Sequence, residues 1–223
     1  MSKQVQVEIY EQLARVGHAL SNAHRLKMLN LLAHGEKTVD QLARETGQTK
    51  ATASANLKVL RTAHLVESDK RGVSVHCRLA SAGVAQLWLQ LRDVGEAISP
   101  EVRELMRDQV EVEGEVSELS LEELKAQWKK GGWLLLDLRP KEEYEAGHLP
   151  GAINIPFSDL EDGVSDLPKR KKLLVYCRGP FCANAIAGNR WLRQQRYRAE
   201  RLRFSVPEWN AAGFPVEKDP EKN

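Results

Sequence analysis

Two cysteines in the C-terminal half of the chain are spaced for sulfur chemistry. Cys177 ends the apolar run at 173–176, and Cys182 follows five positions later, directly before a helix-like segment at 183–195. The thiolate is the reactive form of cysteine, and loop N–H groups together with the positive end of a helix would stabilise it. Arg178 adds a cationic side chain beside Cys177. The pattern predicts a reactive thiol in a loop, although a strand-end cysteine is also common as plain packing.

A strand and a helix must hold these thiols. The apolar run at 173–177 predicts a buried strand, Gly179-Pro180 predicts a loop, and 183–195 predicts a helix. Three further strand patterns alternate with helical ones, at 133–138, 153–155 and 200–204. This alternation predicts an α/β domain with a mostly parallel sheet, in which Cys177 lies at the carboxyl end of a strand, where such sheets hold ligands.

The segment from Trp133 to Glu217 resembles the rhodanese domain. The resemblance rests on the Asp-x-Arg signature Asp137-Leu138-Arg139, on residues 142–156, on the cysteine loop and on residues 207–216, in the family's order. It implies that Cys177 takes a sulfane sulfur from a donor such as thiosulfate or polysulfide, becomes a persulfide and passes the sulfur to an acceptor. The candidate catalytic residues are Cys177, Arg178 and Cys182.

Two positions depart from the usual pattern of that family. Many active members close the six-residue loop with arginine, where this chain has Cys182, and a glycine pair usually precedes the last helix, where it has Phe204-Ser205-Val206. Cys182 is near enough in sequence to attack a persulfide on Cys177, and the alternative is that it packs as a small apolar side chain. His148 is expected to be a turn residue fixed by hydrogen bonds.

Composition fits two globular domains. The 223 residues are 42% hydrophobic and 29% charged, and no apolar run is long enough for a membrane span or a signal peptide, so a cytoplasmic protein is expected. Three cysteines argue against a disulfide framework. Residues 99–123 carry 2 basic and 9 acidic side chains, between two basic blocks. The predicted domains are 1–98 and 120–218, joined by a helix and acidic linker at 99–119 whose best linker stretch is 111–115.

The N-terminal block predicts four helices and a β-hairpin. The helices are expected at 4–20, 22–34, 39–46 and 50–62, from helical spacing of apolar residues and from capping residues. Alternating polarity through 65–79 predicts the hairpin. Two short helices joined by a tight turn and followed by a basic-tipped hairpin are the layout of a mainly α winged helix-turn-helix domain.

Residues 24–32 and 55–66 of this block resemble the ArsR family of winged-helix transcriptional regulators. The resemblance implies a homodimer that binds double-stranded operator DNA and releases it on a chemical signal. Five side chains would lie on the helix that enters the major groove and one at the hairpin tip: Lys50, Thr52, Ser54, Asn56, Lys58 and Arg71. The alternative is that they form an ordinary solvated face.

No metal site and no cofactor are predicted. The stretch that matches the family's Cys-x-Cys pair is Thr38-Val39-Asp40, and no histidine occurs between His76 and His148. Cys77 is next to His76 on a predicted strand, so the two side chains point to opposite faces and Cys77 is expected to pack in the hairpin.

Apolar stripes at 4–20 and 81–98 predict two helices that pair across a dimer axis. Packing within one subunit is the alternative for these stripes.

Two functions compete at this point. The first is a transcriptional regulator, a repressor, in which sulfur on Cys177 changes operator binding. The second is a thiosulfate or polysulfide sulfurtransferase that uses the winged helix only for location and dimerisation. Phosphatase or arsenate-reductase chemistry is disfavoured because phosphate needs a roomier loop, usually closed by arginine.

Overall fold

The structure, a computed structural model, describes residues 2–110, 115–127 and 132–218. The chain divides into two units, Met1–Leu91 and Arg92–Asn223, and each unit has its own buried apolar core. Among the described residues, no helix has both the length and the apolar character to cross a bilayer.

The helices of the first unit begin where the sequence supplies capping side chains. They are α1 (Lys3–Leu20), α2 (Ala23–Ala33), α3 (Val39–Thr46), α4 (Lys50–Thr62) and the first part of α5 (Ala82–Ile98). The side chains of Asn22, Thr38 and Thr49 each accept a hydrogen bond from a backbone N–H of the first turn that follows. Thr38 and Gln41 form the predicted capping box, and Gly47 ends α3 in the left-handed region at φ 70°.

A three-stranded antiparallel sheet completes the wing. Its strands are β1 (Lys37–Thr38), β2 (Val66–Arg71) and β3 (Ser74–Leu79), in the order β1-β3-β2. The predicted hairpin is therefore confirmed, and Cys77 packs in the core with 1% of its surface exposed. The sequence did not predict β1, because two residues carry no periodic pattern.

The second unit is built on a four-stranded parallel sheet in the order β5-β4-β6-β7. Its strands are β4 (Trp133–Asp137), β5 (Ile153–Asn154), β6 (Lys172–Tyr176) and β7 (Arg198–Arg201). Its helices, after the end of α5, are α6 (Pro100–Leu105), α7 (Leu121–Gln127), α8 (Lys141–Ala146), α9 (Leu160–Gly163), α10 (Ala183–Gln194) and α11 (Val206–Ala211); a π-helical turn (Met106–Val110) follows α6, and short 3-10 turns flank α9. The mostly parallel α/β architecture is as predicted.

One sequence prediction needs correction in this unit. The strand predicted at 200–204 is instead β7 at Arg198–Arg201. Residues 111–114 of the predicted linker lie outside the described residues, whereas Glu115 already accepts a hydrogen bond from Arg201 N and Val116 forms a parallel bridge with Arg201. The edge of the sheet at β7 is thus extended by residues that precede α7.

Side chains of β6 alternate between two apolar layers. Leu173 and Val175 face the layer that contains α9 and α10, and Leu174 and Tyr176 face the layer that contains α7 and α11. Cys177 continues the first set and is packed in the α10 layer. The strand therefore delivers its cysteine toward the N-terminus of α10.

Candidate functional site

The loop at 177–182 connects the carboxyl end of β6 to α10. Cys182 occupies the N-cap position of α10, and its carbonyl accepts a hydrogen bond from Ile186 N at 3.1 Å. Gly179 adopts φ 88°, a left-handed conformation that favours glycine, and a Cβ there would lie 3.5 Å from Glu208 Oε1. The loop is thus tightly curled at a helix N-terminus, as the sequence predicted.

The two loop thiols are hydrogen-bonded to each other. Cys177 is buried, with 2% of its surface exposed, and Cys182 is partly exposed. The hydrogen bond that the Cys177 thiol donates to Cys182, reinforced by burial, raises the pKa of Cys177 well above its usual value. The same hydrogen bond, with the backbone N–H groups of Arg178 and Ala185, lowers the pKa of Cys182 to about 6. At neutral pH the proton therefore resides on Cys177 and the negative charge on Cys182, whereas the sequence pattern predicted the thiolate on Cys177.

A serine from outside the loop orients the peptide that faces Cys182. Ser205 Oγ, which is fully buried, donates a hydrogen bond to the Cys177 carbonyl. Because the C=O and N–H of a trans peptide point in opposite directions, this bond turns the Arg178 N–H the other way, and that N–H donates to the Cys182 sulfur. Ser205 thus helps to place the negative charge on Cys182.

Arg178 is not a free cation beside the thiols. Its guanidinium binds the carboxylate of Glu143, with Nε 3.0 Å from Oε2, and Glu143 is only 4% exposed. The positive charge of Arg178 is therefore largely neutralised by α8, and its effect on the pKa of Cys182 is smaller than that of the hydrogen bonds.

Three residues that support the loop were not predicted from the sequence to belong to the site. Arg201, which is 2% exposed, donates from Nη1 to the Pro180 carbonyl at 3.0 Å. Ser205 and Glu143 are the other two. Of the three, only Ser205 could have been noticed in the sequence, because it stands where the rhodanese pattern has a glycine pair.

Three other residues singled out by the sequence have structural roles. Arg139 and Asp137 form a fully buried ion pair at 2.6 Å, and Arg139 also donates to the Gly147 carbonyl. His148 stacks on Tyr144 with ring centroids 3.7 Å apart, and its Nδ1 lies 2.9 Å from the Tyr144 carbonyl oxygen. The ring of His148 is thus fixed by hydrogen bonding, as expected, but the residue forms an isolated antiparallel bridge with Glu217 and does not lie in a turn.

The exposed face of α4 carries most of the side chains predicted to contact DNA. Lys50, Thr52, Ser54 and Lys58 are exposed, whereas Asn56 is partly buried. Asn56 Nδ2 donates to Gln48 Oε1 at 3.0 Å, so Asn56 also has a role within the unit. Lys50 Nζ lies 2.9 Å from a carboxylate oxygen of Asp40.

Arg71 lies on the hairpin, next to its tip, with its charge already paired. Its guanidinium binds the carboxylate of Glu36 through two nitrogens, at 2.6 and 2.8 Å, and Nε lies 2.6 Å from Asp69 Oδ2. These contacts raise the pKa of Arg71 and lower that of Asp69. A DNA phosphate would have to compete with both carboxylates for the Arg71 guanidinium. Binding a phosphate through Arg71 therefore costs more free energy than binding one through Lys58.

Comparison with known proteins agrees with both units. Residues 22–68 match the family model for bacterial regulatory proteins of the arsR family, and residues 120–212 match the rhodanese-like domain. Over 211 residues the chain is 38% identical to the HTH-type transcriptional regulator Rv0324 of Mycobacterium tuberculosis, covering 94% of this chain and 92% of that protein.

Solved structures match each half separately. The homodimeric winged helix-turn-helix DNA-binding domain Mb0332 of Mycobacterium bovis is 39% identical and covers 44% of this chain and 92% of its own, with a TM-score of 0.42. A rhodanese-related protein of Thermoplasma volcanium is 25% identical and covers 45% of this chain and 97% of its own, with a TM-score of 0.40. Given the identity to the Mycobacterium tuberculosis regulator along nearly its whole length, the chain belongs to the ArsR-type transcriptional regulators that carry a rhodanese-like domain.

Proposed function

We propose that this regulator binds double-stranded operator DNA as a homodimer, as a repressor in the cytoplasm, and that sulfane sulfur loaded on Cys177 changes that binding. The observation that carries the proposal is the thiol pair at the N-terminus of α10. A regulator needs a group that reacts with its signal, and a cysteine hydrogen-bonded to a thiolate is such a group.

Two helix faces support the homodimer. On α1 only Ala19 is buried, and the apolar side chains of its N-terminal half are 44 to 64% exposed, at Val5, Val7, Ile9, Tyr10 and Leu13. On α5 a second stripe is exposed, at Leu87, Leu91, Val94 and Ile98. Exposed apolar stripes of this size are typical of surfaces that pair with another chain. A second copy would cover both stripes around one two-fold axis.

The mechanism of sulfur loading follows from the position of the shared proton, which lies on Cys177 in the resting loop. The Cys182 thiolate accepts the Cys177 proton as the Cys177 sulfur attacks the outer sulfur of thiosulfate. The bond between the two sulfur atoms of thiosulfate breaks, and sulfite leaves with the electron pair. Cys177 then carries a persulfide.

Within the second unit, hydrogen bonds and an ion pair connect the loop to Arg92 of α5. Glu208 Oε2 accepts from Ser205 N at 2.9 Å, and Glu208 Oε1 binds Arg92, the first residue of that unit. Since Ser205 also holds the Cys177 carbonyl, a change at the loop reaches Arg92 through two hydrogen-bonded residues. Arg92 lies on the same continuous helix as Leu87 and Leu91 of the exposed stripe.

The test is an operator-binding titration with and without thiosulfate or polysulfide. The wild type should bind an inverted-repeat operator and lose affinity on sulfur loading. Cys177→Ser should bind equally well and not respond, and Arg92→Leu should still gain sulfur by mass spectrometry but respond weakly. A Cys177→Ser protein that responds like the wild type would contradict the proposal.

Sulfurtransferase activity is the second candidate, favoured by the match of residues 120–212 to the rhodanese-like domain. Steady-state turnover of thiosulfate and cyanide separates the two functions. Many turnovers per chain, with no change in operator binding, would favour the enzyme.

A further inference from the structure

We propose that Cys177 and Cys182 form a sulfur-triggered dithiol switch, in which Cys182 attacks the persulfide on Cys177 and closes the loop as a Cys177–Cys182 disulfide. The inference rests on the proposed sulfur loading and adds a second chemical step to it. Sulfide is the product that leaves.

The two sulfurs are already together in the resting loop. Cys182 packs against the buried cluster that contains Cys177, and the two thiols share a hydrogen bond, so the attacking atom lies beside the atom it attacks. Cys182 is held there by its N-cap position on the 12-residue helix α10 and by packing against the buried cluster that contains Cys177. Proximity of this kind replaces a slow bimolecular step with an intramolecular one.

The charge on the pair also favours the step. The hydrogen bond from Cys177 and the backbone N–H groups of Arg178 and Ala185 lower the pKa of Cys182 to about 6 in the resting loop, and the two backbone donors stay in place once Cys177 carries the persulfide. The thiolate is the form that attacks disulfides and persulfides. Ser205 contributes through its bond to the Cys177 carbonyl, which turns the Arg178 N–H toward Cys182.

The step balances without any further reagent. After loading, the proton held by Cys182 passes to the outer sulfur of the persulfide, which regenerates the Cys182 thiolate. That thiolate attacks the inner sulfur, which is the Cys177 Sγ, and the bond to the outer sulfur breaks. The outer sulfur leaves as HS⁻ with the electron pair, so the two cysteines are oxidised to a disulfide and the transferred sulfane sulfur is reduced to sulfide.

Closure would convert a transient persulfide into a stable signal. The negative charge of the Cys182 thiolate disappears from the N-terminus of α10, and the hydrogen bond between the thiols is replaced by a covalent bond. Cellular thiols would reopen the disulfide by exchange and reset the regulator. The family's usual arginine at this loop position could not take part in such a closure.

The test uses the full-length protein, without added thiol or oxygen, and thiosulfate as the donor. With thiosulfate, sulfide can arise only from the transferred sulfur atom. The wild type should release about one sulfide per chain, lose two hydrogens in mass and yield a Cys177–Cys182 cross-linked peptide. Cys182→Ser lacks the thiolate that takes the Cys177 proton, so it should load sulfur more slowly, but it should keep the added sulfur on Cys177 and release no sulfide. Cys77→Ala is the matched control, since Cys77 is buried in the other unit, and it should behave like the wild type.

The outcomes separate this inference from the function on which it rests. A wild type that keeps a stable persulfide on Cys177, or a Cys182→Ser protein that releases sulfide as fast as the wild type, would overturn the dithiol switch alone. A wild type that gains no sulfur and releases no sulfide with thiosulfate would overturn the sulfur loading itself.

Discussion

At the scale of single residues, the position of one proton decides how the thiol pair works. The pKa of Cys182 is lowered to about 6 because Cys177 and two backbone N–H groups donate hydrogen bonds to its sulfur. Cys182 is therefore unreactive below pH 6 and becomes reactive as pH rises through 6, instead of near the ordinary thiol value of 9.0. Alkylation of Cys182, followed by peptide mass spectrometry from pH 4 to 10, should show this inflection.

Removing the donor gives the control for that profile. Cys177→Ala deletes the strongest hydrogen bond to Cys182, so its alkylation inflection should move upward toward the ordinary value. An unchanged inflection would show that the helix N-terminus and the backbone N–H groups hold the thiolate without Cys177.

Ser205 is predicted to be a positioning residue for the same thiolate. Ser205→Ala removes the hydrogen bond to the Cys177 carbonyl and frees the peptide whose N–H faces Cys182. The Cys182 inflection should rise above about 6, and sulfide release after thiosulfate should slow about tenfold, the size expected for one hydrogen bond to a charged group. Ser158→Ala, at an exposed serine, is the control and should leave both readouts unchanged. A Ser205→Ala variant that is merely less stable, with an unshifted inflection, would refute the role.

The sequence located the two cysteines but not the proton between them. Strand and helix patterns around 173–195 placed Cys177 and Cys182 in one loop, as the structure shows. The serine that turns the Arg178 peptide comes 28 residues after Cys177, and its neighbours were noted only as a departure from a family pattern. Local patterns do not reveal which distant hydroxyl meets a given carbonyl.

At the scale of secondary-structure elements, close packing of α10 on the sheet fixes the loop. A Cβ added at Gly188 would lie 2.5 Å from Leu138 Cδ1 and 3.3 Å from Leu160 Cδ2. Gly188→Ala should therefore destabilise the second unit by about 1–3 kcal/mol despite the higher helix propensity of alanine. Gly95→Ala, in α5 with nothing within 4 Å, should instead be neutral or stabilising by up to about 1 kcal/mol. Urea unfolding measures both, and equal effects would contradict the packing argument.

Lys58 on α4 is predicted to bind a DNA phosphate. Lys58→Ala should weaken operator binding and lower the slope of log affinity against log salt by about 0.9 for each phosphate that the variant no longer neutralises. Lys50→Ala should have a smaller effect, because Lys50 already lies 2.9 Å from Asp40. Lys27→Ala, at an exposed lysine on α2, is the control and should leave the slope unchanged. Equal slopes for all three variants would remove α4 as the recognition helix.

Elements with long periodic patterns were predictable, and short paired ones were not. The patterns of α1, α4 and α5 predicted their bounds within a few residues. Strand β7 was misplaced because Arg198, Glu200 and Arg201 make it look polar, and it forms where it does because it pairs with β6. Ala53 lies between the exposed Thr52 and Ser54 but is fully buried, since α4 presents it to the core together with Leu57 and Leu60.

At the scale of the whole molecule, the regulator should act as a dimer built from α1 and α5. Leu13 and Leu91 are 59% and 37% exposed within one chain, and a second copy would bury them. An aspartate placed at either position would appear twice at a two-fold interface. The dimer would then lose roughly 3 kcal/mol or more of stabilisation from apolar burial, which raises its dissociation constant at least about 100-fold.

The double variant Leu13→Asp/Leu91→Asp should therefore be a monomer by light scattering at micromolar concentration, where the wild type is a dimer. It should also lose its preference for an inverted repeat with half-sites about one helical turn apart, since a monomer binds a single half-site. Val73→Asp, at a hairpin-tip side chain that is 98% exposed, is the control for the oligomeric state and should remain dimeric. A wild type that is monomeric and binds single half-sites as well as inverted repeats would exclude the dimer and require another partner for both apolar stripes.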